Sequence, residues 1–463
     1  MPLSKSPAPP SNSHLTHYKT LGLLITLYLA QGLPAGFITQ ALPAILREYK
    51  VSLVAIGWSG LILVPWGLKF LWATVVDGYY SQKIGRAKSW ILPMQGLSIV
   101  ILVAVAFFEP HNLAQTPSVM TLYGMLFTLS LIGATHDVAT DGLATRLLKV
   151  AMAPKEPLTH DMPAPDSVTQ TTNHHHRQSQ GNAVQVIGYR LGLIIGGGVL
   201  LMLLEQWGWR NSFLAMAALV AMNTVPIVFF KEHTHTSVEP PQKQVQAVKS
   251  GSFKALKNYL SHHYQYFWSS REMLAWLGVL LTFKIADGIS SGMVKPMMVD
   301  VGLNLQQIGF WATILGSAAS VAGAGVATIL MKRLTRFRSL LYFNLAQALT
   351  TGLYGLVAYG FYHQLLTDFL WLYVVNALEH FCASLALIAM LTTIMHYSRP
   401  ANAGSDFTVQ VCLLTVLGGS AHFASGYMAH FLGYQWHFLV SMLIGFVCLA
   451  PIIYWHKLKN NEK

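Results

Sequence analysis

Charged residues are scarce in this chain of 463 residues: Asp, Glu, Lys and Arg make up 10% of it, against about 25% in soluble proteins. Hydrophobic residues reach 53%. A composition this poor in charge excludes an ordinary soluble protein and indicates a membrane protein. Cysteine is scarce as well. Cys382, Cys412 and Cys448 lie in apolar runs with no CxxC pattern, so they supply neither a disulfide framework nor a metal site.

Catalytic motifs are the second absence. The sequence contains no HExxH, GxSxG or P-loop pattern, and outside one His-rich stretch no group of His and carboxylates has the spacing of metal ligands. We therefore expect no enzymatic activity, no cofactor and no resident metal ion. Because a nucleotide-binding module is missing, a transporter of this sequence would take its energy from an ion gradient or from the gradient of its own substrate.

Long apolar runs dominate what is present. About 20 apolar residues, rising 1.5 Å each, cross a hydrocarbon layer of about 30 Å. Twelve such runs occur, at 21–43, 53–76, 90–108, 118–141, 184–204, 211–230, 273–295, 308–330, 339–361, 367–391, 408–430 and 434–455. Two sets of six spans predict an all-α membrane protein with two six-helix halves. This plan is typical of secondary transporters, whose substrate site lies near the midplane between the halves.

Polar segments set the predicted domain boundaries. The predicted order is a cytoplasmic tail (1–18), an N-terminal six-helix bundle (19–230) with a polar loop (150–183), a cytoplasmic linker (231–271), a C-terminal six-helix bundle (272–456) and a second tail (457–463). The polar loop contains three consecutive histidines, which could bind a metal ion. A low-complexity polar loop is the better interpretation of this run.

The basic residues predict the orientation, since Lys and Arg near span ends are retained on the cytoplasmic side. Of the 30 Lys and Arg, 23 lie in segments that are cytoplasmic if both termini are cytoplasmic, and three lie on the opposite side. These basic residues are spread over seven separate segments. Their distribution therefore argues against a nucleic-acid partner and for a bilayer.

Ionisable residues inside the spans are functional candidates, because burying a charge in hydrocarbon costs at least about 2.5 kcal/mol. In the N-terminal half, Lys69, Asp137, Asp141, Arg146 and Arg190 lie at similar depth. Two interpretations stay open. The acids exchange basic partners as a gate opens, or the cluster is a fixed ion-pair network that neutralises buried charge. Direct contact with substrate is a third, weaker possibility.

A second set of ionisable residues lies nearer the bilayer centre. Lys284 and Asp287 are three residues apart in the seventh span, and Glu379 and His380 are adjacent in the tenth. A carboxylate near the midplane with a neighbouring base suits proton coupling. Glu379 is our first candidate for the proton carrier and Asp287 the second. For His380 we favour a hydrogen bond to an adjacent helix.

Glycines recur every four residues in the fifth span, at Gly188, Gly192 and Gly196. The eighth and eleventh spans are also rich in small residues. Such stripes allow helices to approach closely. Close helix packing is the expected role of these stripes. A functional extension is that close-packed helices at the interface of the halves allow the halves to rock.

The segment DGYYSQKIGR at 77–86 resembles the cytoplasmic loop signature of the major facilitator superfamily, in which an Asp closes the second helix before a Gly-Arg turn. The resemblance implies a major-facilitator-type 12-helix bundle. It also implies a gating role for Asp77, Gly85 and Arg86, to which we add Lys69 and Arg146 from the ionisable cluster.

Longer strings are similar to the branch that contains AmpG-type muropeptide permeases and the single-component siderophore permeases for rhizobactin and pyochelin. They are GLPAGFITQALPAILR (32–47), PWGLKFLWATVVDG (65–78), HDVATDGLATR (136–146), GNAVQVIGYRLGLIIGGG (181–198), FKIADG (283–288) and NALEHFC (376–382). The first string looks closer to the siderophore permeases. Twelve spans, rather than the fourteen of muropeptide permeases, point the same way.

The resemblance implies a monomeric transporter of the bacterial inner membrane that imports a siderophore, with or without iron, in symport with protons. If the superfamily cavity applies, its candidate residues are Gln31, Thr39, Gln40, Asp137, Asp141, Arg190, Lys284, Asp287, Asn376 and His380. An AmpG-like permease for muropeptides remains an alternative, because the GYRLG and KxxD strings are shared with that group. A membrane metal sensor with a His-rich loop is the other alternative.

Overall fold

The computed structural model describes residues 13–150, 185, 187–232, 265–399 and 403–461. The three histidines of the polar loop, most of the linker and both chain ends lie outside these ranges. In the described part the chain is almost entirely helical, as membrane spans must be unless they form closed barrels.

Ten helices are long and apolar enough to cross a membrane. They are α1 (Thr20–Glu48), α2 (Leu53–Leu71), α3 (Lys88–Ala106), α4 (Thr116–Ala144), α5 (Ile187–Phe229), α6 (Arg271–Val301), α7 (Leu305–Leu330), α8 (Arg336–Tyr362), α9 (Leu370–His396) and α10 (Asp406–Lys459). The N-terminal half comprises α1–α5 and the C-terminal half α6–α10. The fold is therefore the all-α membrane bundle predicted from the sequence.

Two of the ten helices are twice the usual length. α5 has 43 residues and α10 has 54, so each exceeds twice the thickness of a bilayer core at 1.5 Å per residue. Each contains one glycine with non-helical angles, Gly208 (φ 73°, ψ 174°) and Gly433 (φ 71°, ψ 163°). Residues other than glycine rarely adopt such positive φ values. Divided at these glycines, the ten helices correspond one to one with the twelve predicted spans.

Helix α2 is irregular along its whole length. It alternates α-helical and 3₁₀ turns through Leu53–Trp58, Ser59–Leu63, Val64–Leu68 and Lys69–Leu71. Proline lacks an N–H and glycine is a weak helix former. Pro65 and Gly67 lie in the centre of this segment, and they account for the interruption.

Three short π-helical segments meet near the contact between the halves. They are Phe37–Ala41 in α1, Ile194–Val199 in α5 and Ile308–Ile314 in α7. A Cβ atom at Gly198 would lie 2.9 Å from the carbonyl oxygen of Gly309. The backbones of α5 and α7 therefore approach closely here, and π-helical turns are frequent at functional sites.

The glycine stripe of α5 packs within its own half rather than against the other half. A Cβ atom at Gly192 would lie 2.5 Å from the Cα atom of Gly32 in α1. Besides the α5–α7 contact at Gly198, a second close approach across the halves lies between α2 and α10. There a Cβ atom at Gly60 would lie 2.4 Å from the carbonyl oxygen of Gly419. The predicted close helix packing is therefore confirmed for Gly188, Gly192 and Gly196, but these glycines pack against α1 and not at the interface of the halves.

Candidate functional site

Polar contacts between the halves concentrate at one end of the bundle. Arg47, at the end of α1, donates a hydrogen bond from Nε to Asp300 Oδ1 at 2.6 Å. The Tyr434 hydroxyl donates to Asp300 Oδ2, also at 2.6 Å. We call these three residues the Asp300 latch. It joins α1 to α6 and α10 at the end where the loop between α1 and α2 lies.

A second polar contact joins α1 to α6 beside the latch. Lys295 donates from Nζ to the backbone oxygen and to the Oε1 atom of Gln40, both at 2.6 Å. Lys295 is 6% exposed, so these bonds replace the water that a buried ammonium group loses. The backbone N–H of Gln306 donates to Glu205 Oε2 at 2.8 Å and links the start of α7 to the middle of α5, near Gly208.

Helices α2 and α10 also bond across the halves. The Trp58 indole donates to the Tyr427 hydroxyl at 3.1 Å, and the Ser59 hydroxyl lies 3.1 Å from His422 Nε2. These residues lie in the part of each helix that is nearest the latch.

The buried hydrophobic clusters also differ between the latch end and the opposite end of the bundle. One buried cluster contains Leu42 and Phe213 of the N-terminal half together with Met297 and Phe438 of the C-terminal half. Toward the opposite end, each half has clusters of its own. The buried apolar clusters therefore join the two halves at the latch end and are separate toward the other end. Polar contacts across the halves also occur away from the latch, between Cys412 and Trp66 and between Arg190 and Ser320.

The predicted ionisable cluster of the N-terminal half is divided among several partners. Lys69 forms an ion pair with Asp137, and its ammonium lies 5.6 Å from the ring centre of Trp66. Asp141 accepts a hydrogen bond from the Tyr28 hydroxyl at 2.8 Å. In this structure the two acids therefore belong to different contacts.

Arg146 pairs with Glu232, a residue that we had assigned to the linker. Its Nη2 atom lies 3.1 Å from Glu232 Oε1. The same carboxylate accepts backbone N–H bonds from Ala87 and Lys88, so it anchors the start of α3. A Cβ atom at Gly85 (φ +108°) would lie 2.5 Å from Glu232 Oε2. Glycine is therefore needed at that position for both conformation and space.

The remaining predicted gating residues are placed only in part. The Arg86 guanidinium lies 5.7 Å from the ring centre of Tyr80. The side chain of Asp77 falls outside what the structure describes. Arg190 donates to the Ser320 hydroxyl at 3.0 Å and thereby contacts the other half. Arg146 and Arg190 thus each have a partner outside the predicted cluster.

In the C-terminal half, Asp287 has two polar partners. Lys284 donates to its Oδ2 atom at 2.7 Å and Gln347 to its Oδ1 atom at 2.8 Å. Glu379 is arranged differently. Its nearest ionisable partner in the described ranges is the neighbouring His380, whose Nδ1 atom lies 3.8 Å from Glu379 Oε2.

Asn376 and His380 face α7. Asn376 accepts from the Tyr354 hydroxyl at 3.1 Å and donates to the carbonyl oxygen of Ala312 at 2.9 Å. A Cβ atom at Gly316 would lie 2.2 Å from His380 Cδ2 and 3.0 Å from Asn376 Nδ2. The absence of a side chain at Gly316 therefore makes room for both residues.

Two predicted cavity residues of α1 differ in their surroundings. Thr39 donates to the carbonyl oxygen of Ala35 in its own helix at 2.7 Å. Gln31 is buried in the interior of the N-terminal half. The predicted cavity residues therefore do not all face one space.

At the end away from the latch, residues of the C-terminal half form hydrogen bonds with one another. Arg399 donates two side-chain hydrogen bonds to Asp406, each 2.8 Å long, and these bonds raise the pKa of Arg399. Tyr397 donates to Glu272, and burial raises the pKa of the Tyr397 hydroxyl. These contacts connect the start of α6 to the connection between α9 and α10 without involving the other half.

Sequence reasoning missed the latch and the Lys295–Gln40 contact beside it, although the sequence contained one signal for each. Arg47 is one of only three basic residues on the side opposite the expected cytoplasmic face. Lys295 is a charge inside a predicted span. Asp300 and Tyr434 gave no such signal, because each is an ordinary polar residue near the end of a span.

Comparison with known proteins places the chain among transporters. The family described as "Acetyl-coenzyme A transporter 1" matches residues 20–153. The anhydromuropeptide permease of Escherichia coli (strain K12) is 25% identical over 401 residues, covering 85% of this chain and 71% of the permease.

Solved structures agree on the fold. A POT family transporter in complex with a thioalcohol-conjugated peptide superimposes with a TM-score of 0.66 at 12% identity, covering 95% of this chain and 96% of that one. A D-xylose–proton symporter gives a TM-score of 0.63 at 13% identity, covering 95% and 97%.

The siderophore prediction is wrong, because the relatives found include anhydromuropeptide permeases and the matching family is described as an acetyl-coenzyme A transporter. Two weak signals misled us. They were the string at 32–47 and the count of twelve spans. The muropeptide alternative fits the relatives better. The chain thus has a major-facilitator-type transporter fold, and its relatives and structural neighbours are transporters rather than enzymes.

Proposed function

We propose that this protein is a secondary transporter of the anhydromuropeptide-permease type, which moves a sugar-linked peptide across the bacterial inner membrane by alternating access. The observation that carries the proposal is the one-ended closure of the bundle. Two halves that are joined at one end and packed separately at the other form one of the two end states that alternating access requires. The similarity to the permease of E. coli over 85% of the chain supports the substrate class.

The direction of transport follows from the expected orientation. With both termini and 23 of the 30 basic residues on the cytoplasmic side, the Asp300 latch lies on the periplasmic side. The structure then corresponds to an inward-facing state. Opening the latch while the opposite end closes would admit substrate from the periplasm. With an inward proton gradient as the driving force, import is the proposed direction.

The substrate site is proposed to lie between the charged pairs of the two halves. Lys69 with Asp137 and Lys284 with Asp287 offer both signs of charge, one pair from each half. A muropeptide carries carboxylates on its peptide and hydroxyl and amide groups on its sugar. Paired charges and neutral donors of this kind match such mixed chemistry better than a single strongly charged pocket would.

Glu379 is proposed as the proton carrier. Lys284 and Gln347 both bond to Asp287, whereas in the described ranges no Lys or Arg lies within 4.0 Å of Glu379. A carboxylate without a fixed cationic partner can bind a proton when it is buried and release it when water reaches it. Asp287, which is held by a lysine, is the second candidate.

Uptake into proteoliposomes tests the proposal directly. Purified protein would be reconstituted and supplied with radiolabelled anhydromuropeptide under an imposed inward proton gradient, with radiolabelled acetyl-coenzyme A as the competing substrate. We expect accumulation of the muropeptide that collapses when a protonophore is added. Accumulation of acetyl-coenzyme A alone would refute the substrate class.

The Glu379→Gln variant tests the coupling role. It should exchange muropeptide across the membrane but should not accumulate it, because an amide cannot carry a proton. Glu109→Gln, which changes an exposed acid outside the helices, is the matched control and should accumulate normally. Full gradient-driven accumulation by the Glu379 variant would remove this residue from the coupling role.

A further inference from the structure

A small cavity lies inside the N-terminal half, apart from the proposed substrate site. Its volume is about 20 Å³, and residues from α1 to α5 enclose it. The polar residues of its wall are Gln31, Gln95, Ser98, Ser130 and His136. All five are less than 9% exposed, so the polar wall belongs to the core of this half.

Six polar atoms of this wall lack a hydrogen-bonding partner in the described part of the chain. They are the Nε2 and Oε1 atoms of Gln31 and of Gln95, the hydroxyl of Ser130 and Nε2 of His136. Gln95 and Ser130 are each 2% exposed, and Gln31 and His136 are each 4% exposed. Buried polar groups in folded proteins are almost always hydrogen-bonded, either to protein or to ordered water.

The histidine presents one nitrogen to the cavity. Its Nδ1 atom lies 3.5 Å from the Thr140 hydroxyl, one turn further along α4. Nε2 is therefore left as the ring atom that needs a partner in the cavity. Whichever tautomer the ring adopts, Nε2 is either a donor or an acceptor.

A proline adds a backbone group to the same wall. Pro34 has no N–H, so it cannot donate to the carbonyl of Ala30 one turn earlier in α1. Both residues line the cavity. A ligand in the cavity that can donate a hydrogen bond would therefore find an acceptor on the backbone as well.

The corresponding position in the C-terminal half provides a contrast. A cavity of similar size there is lined by α6, α8 and α10 and includes Asp287 and Gln347. Those two side chains bond to each other at 2.8 Å, and Lys284 completes the group. The C-terminal cavity thus satisfies its main polar groups from within the protein, whereas the N-terminal cavity does not.

We propose that the N-terminal cavity is a binding site for ordered water, held by Gln31, Gln95, Ser130 and His136. The wall offers only neutral donors and acceptors, so it lacks the charge that an ion would need. Its volume exceeds the roughly 10–15 Å³ that one water requires, and a buried water needs two to four polar partners. Water at this site bridges α1, α3 and α4 and ties the helices of this half into one unit.

Radiolytic labelling tests the site without requiring the transport activity. X-ray pulses convert water into hydroxyl radicals that oxidise adjacent side chains, and mass spectrometry locates the oxidised residues. In the full-length protein in nanodiscs, we expect His136 to be oxidised despite its burial. The Gln31→Leu/Gln95→Leu variant should lower that oxidation severalfold. Thr128→Ala, an exposed position on α4, is the control and should leave it unchanged.

The proposal is overturned if His136 stays unmodified in the wild-type protein while exposed histidines are oxidised, because the cavity is then dry. It is also overturned if rapid mixing with ¹⁸O-water labels His136 as quickly as the exposed histidines, because the cavity is then open to bulk solvent. Both results come from the wild-type chain, so the test does not depend on whether the double variant folds.

Discussion

Breaking the Asp300 latch should shift the protein toward the state that is open at the latch end. Asp300→Asn removes the negative charge that Arg47 and Tyr434 share, each at 2.6 Å. The amide keeps nearly the same shape, so packing is preserved. Because these bonds exist only when the halves are joined at this end, their loss should destabilise that state alone.

The solvent exposure of Arg47 and Asp300 sets how strongly Asp300→Asn destabilises the state that is closed at the latch end. Side-chain exposure is 25% for Arg47 and 27% for Asp300, between a surface pair and a buried one. Surface ion pairs contribute about 0.2–1 kcal/mol, and hydrogen bonds to charged groups about 1.5–3 kcal/mol. We expect a loss of about 1–2 kcal/mol, which changes the ratio of the two states by about 5- to 30-fold.

Double electron–electron resonance measures this ratio. Spin labels at Ala114 and Leu365, on exposed loops of the two halves at the latch end, report the separation there in a background with the three cysteines replaced by alanine. Asp300→Asn should add or enlarge a long-distance component. Tyr434→Phe should do so to a smaller degree, since the ion pair remains. Glu109→Gln alters an acid near the same end without touching the latch.

An unchanged distance distribution in Asp300→Asn would refute the reasoning. It would mean that apolar packing and the contact between Lys295 and Gln40 hold this end closed without the latch. A shift of equal size in Glu109→Gln would also refute it, because the effect would then follow from the charge of the surface and not from the bonds of Asp300.

Three further substitutions test other contacts. Gly316→Ala should sharply reduce uptake, because its Cβ atom would lie 2.2 Å from His380 Cδ2. Gly325→Ala, with nothing within 4 Å, should transport normally, and equal activity of the two variants would contradict a need for the space that Gly316 leaves to His380 and Asn376. Glu232→Gln should lower the free energy of unfolding by about 1–2 kcal/mol, since an amide cannot replace a carboxylate that accepts charge-assisted bonds. An unchanged melting temperature would argue against a role of Glu232 in anchoring the start of α3. Tyr397→Phe should lower the free energy of unfolding by about 1–3 kcal/mol, because it leaves buried partners unbonded. Thermal unfolding followed through tryptophan fluorescence measures this loss.

The helices could be predicted from the sequence because hydropathy is a local property. Each predicted span overlaps a helix of the structure, and the two merged helices divide at Gly208 and Gly433. The partners of the charged residues were harder to predict. Arg146 lies at the depth expected for pairing with the acids of α4, yet it binds Glu232, which follows a different helix.

The sequence by itself determined a charge-poor chain with apolar runs of bilayer length, and therefore an all-helical membrane protein, because the bilayer leaves few ways to satisfy backbone hydrogen bonds. It also marked which charges are buried. Only the tertiary structure decided which of them meet, since Asp300 and Arg47 are 253 residues apart and their contact depends on how two halves dock. For the same reason, the closed end of the bundle is visible only in three dimensions.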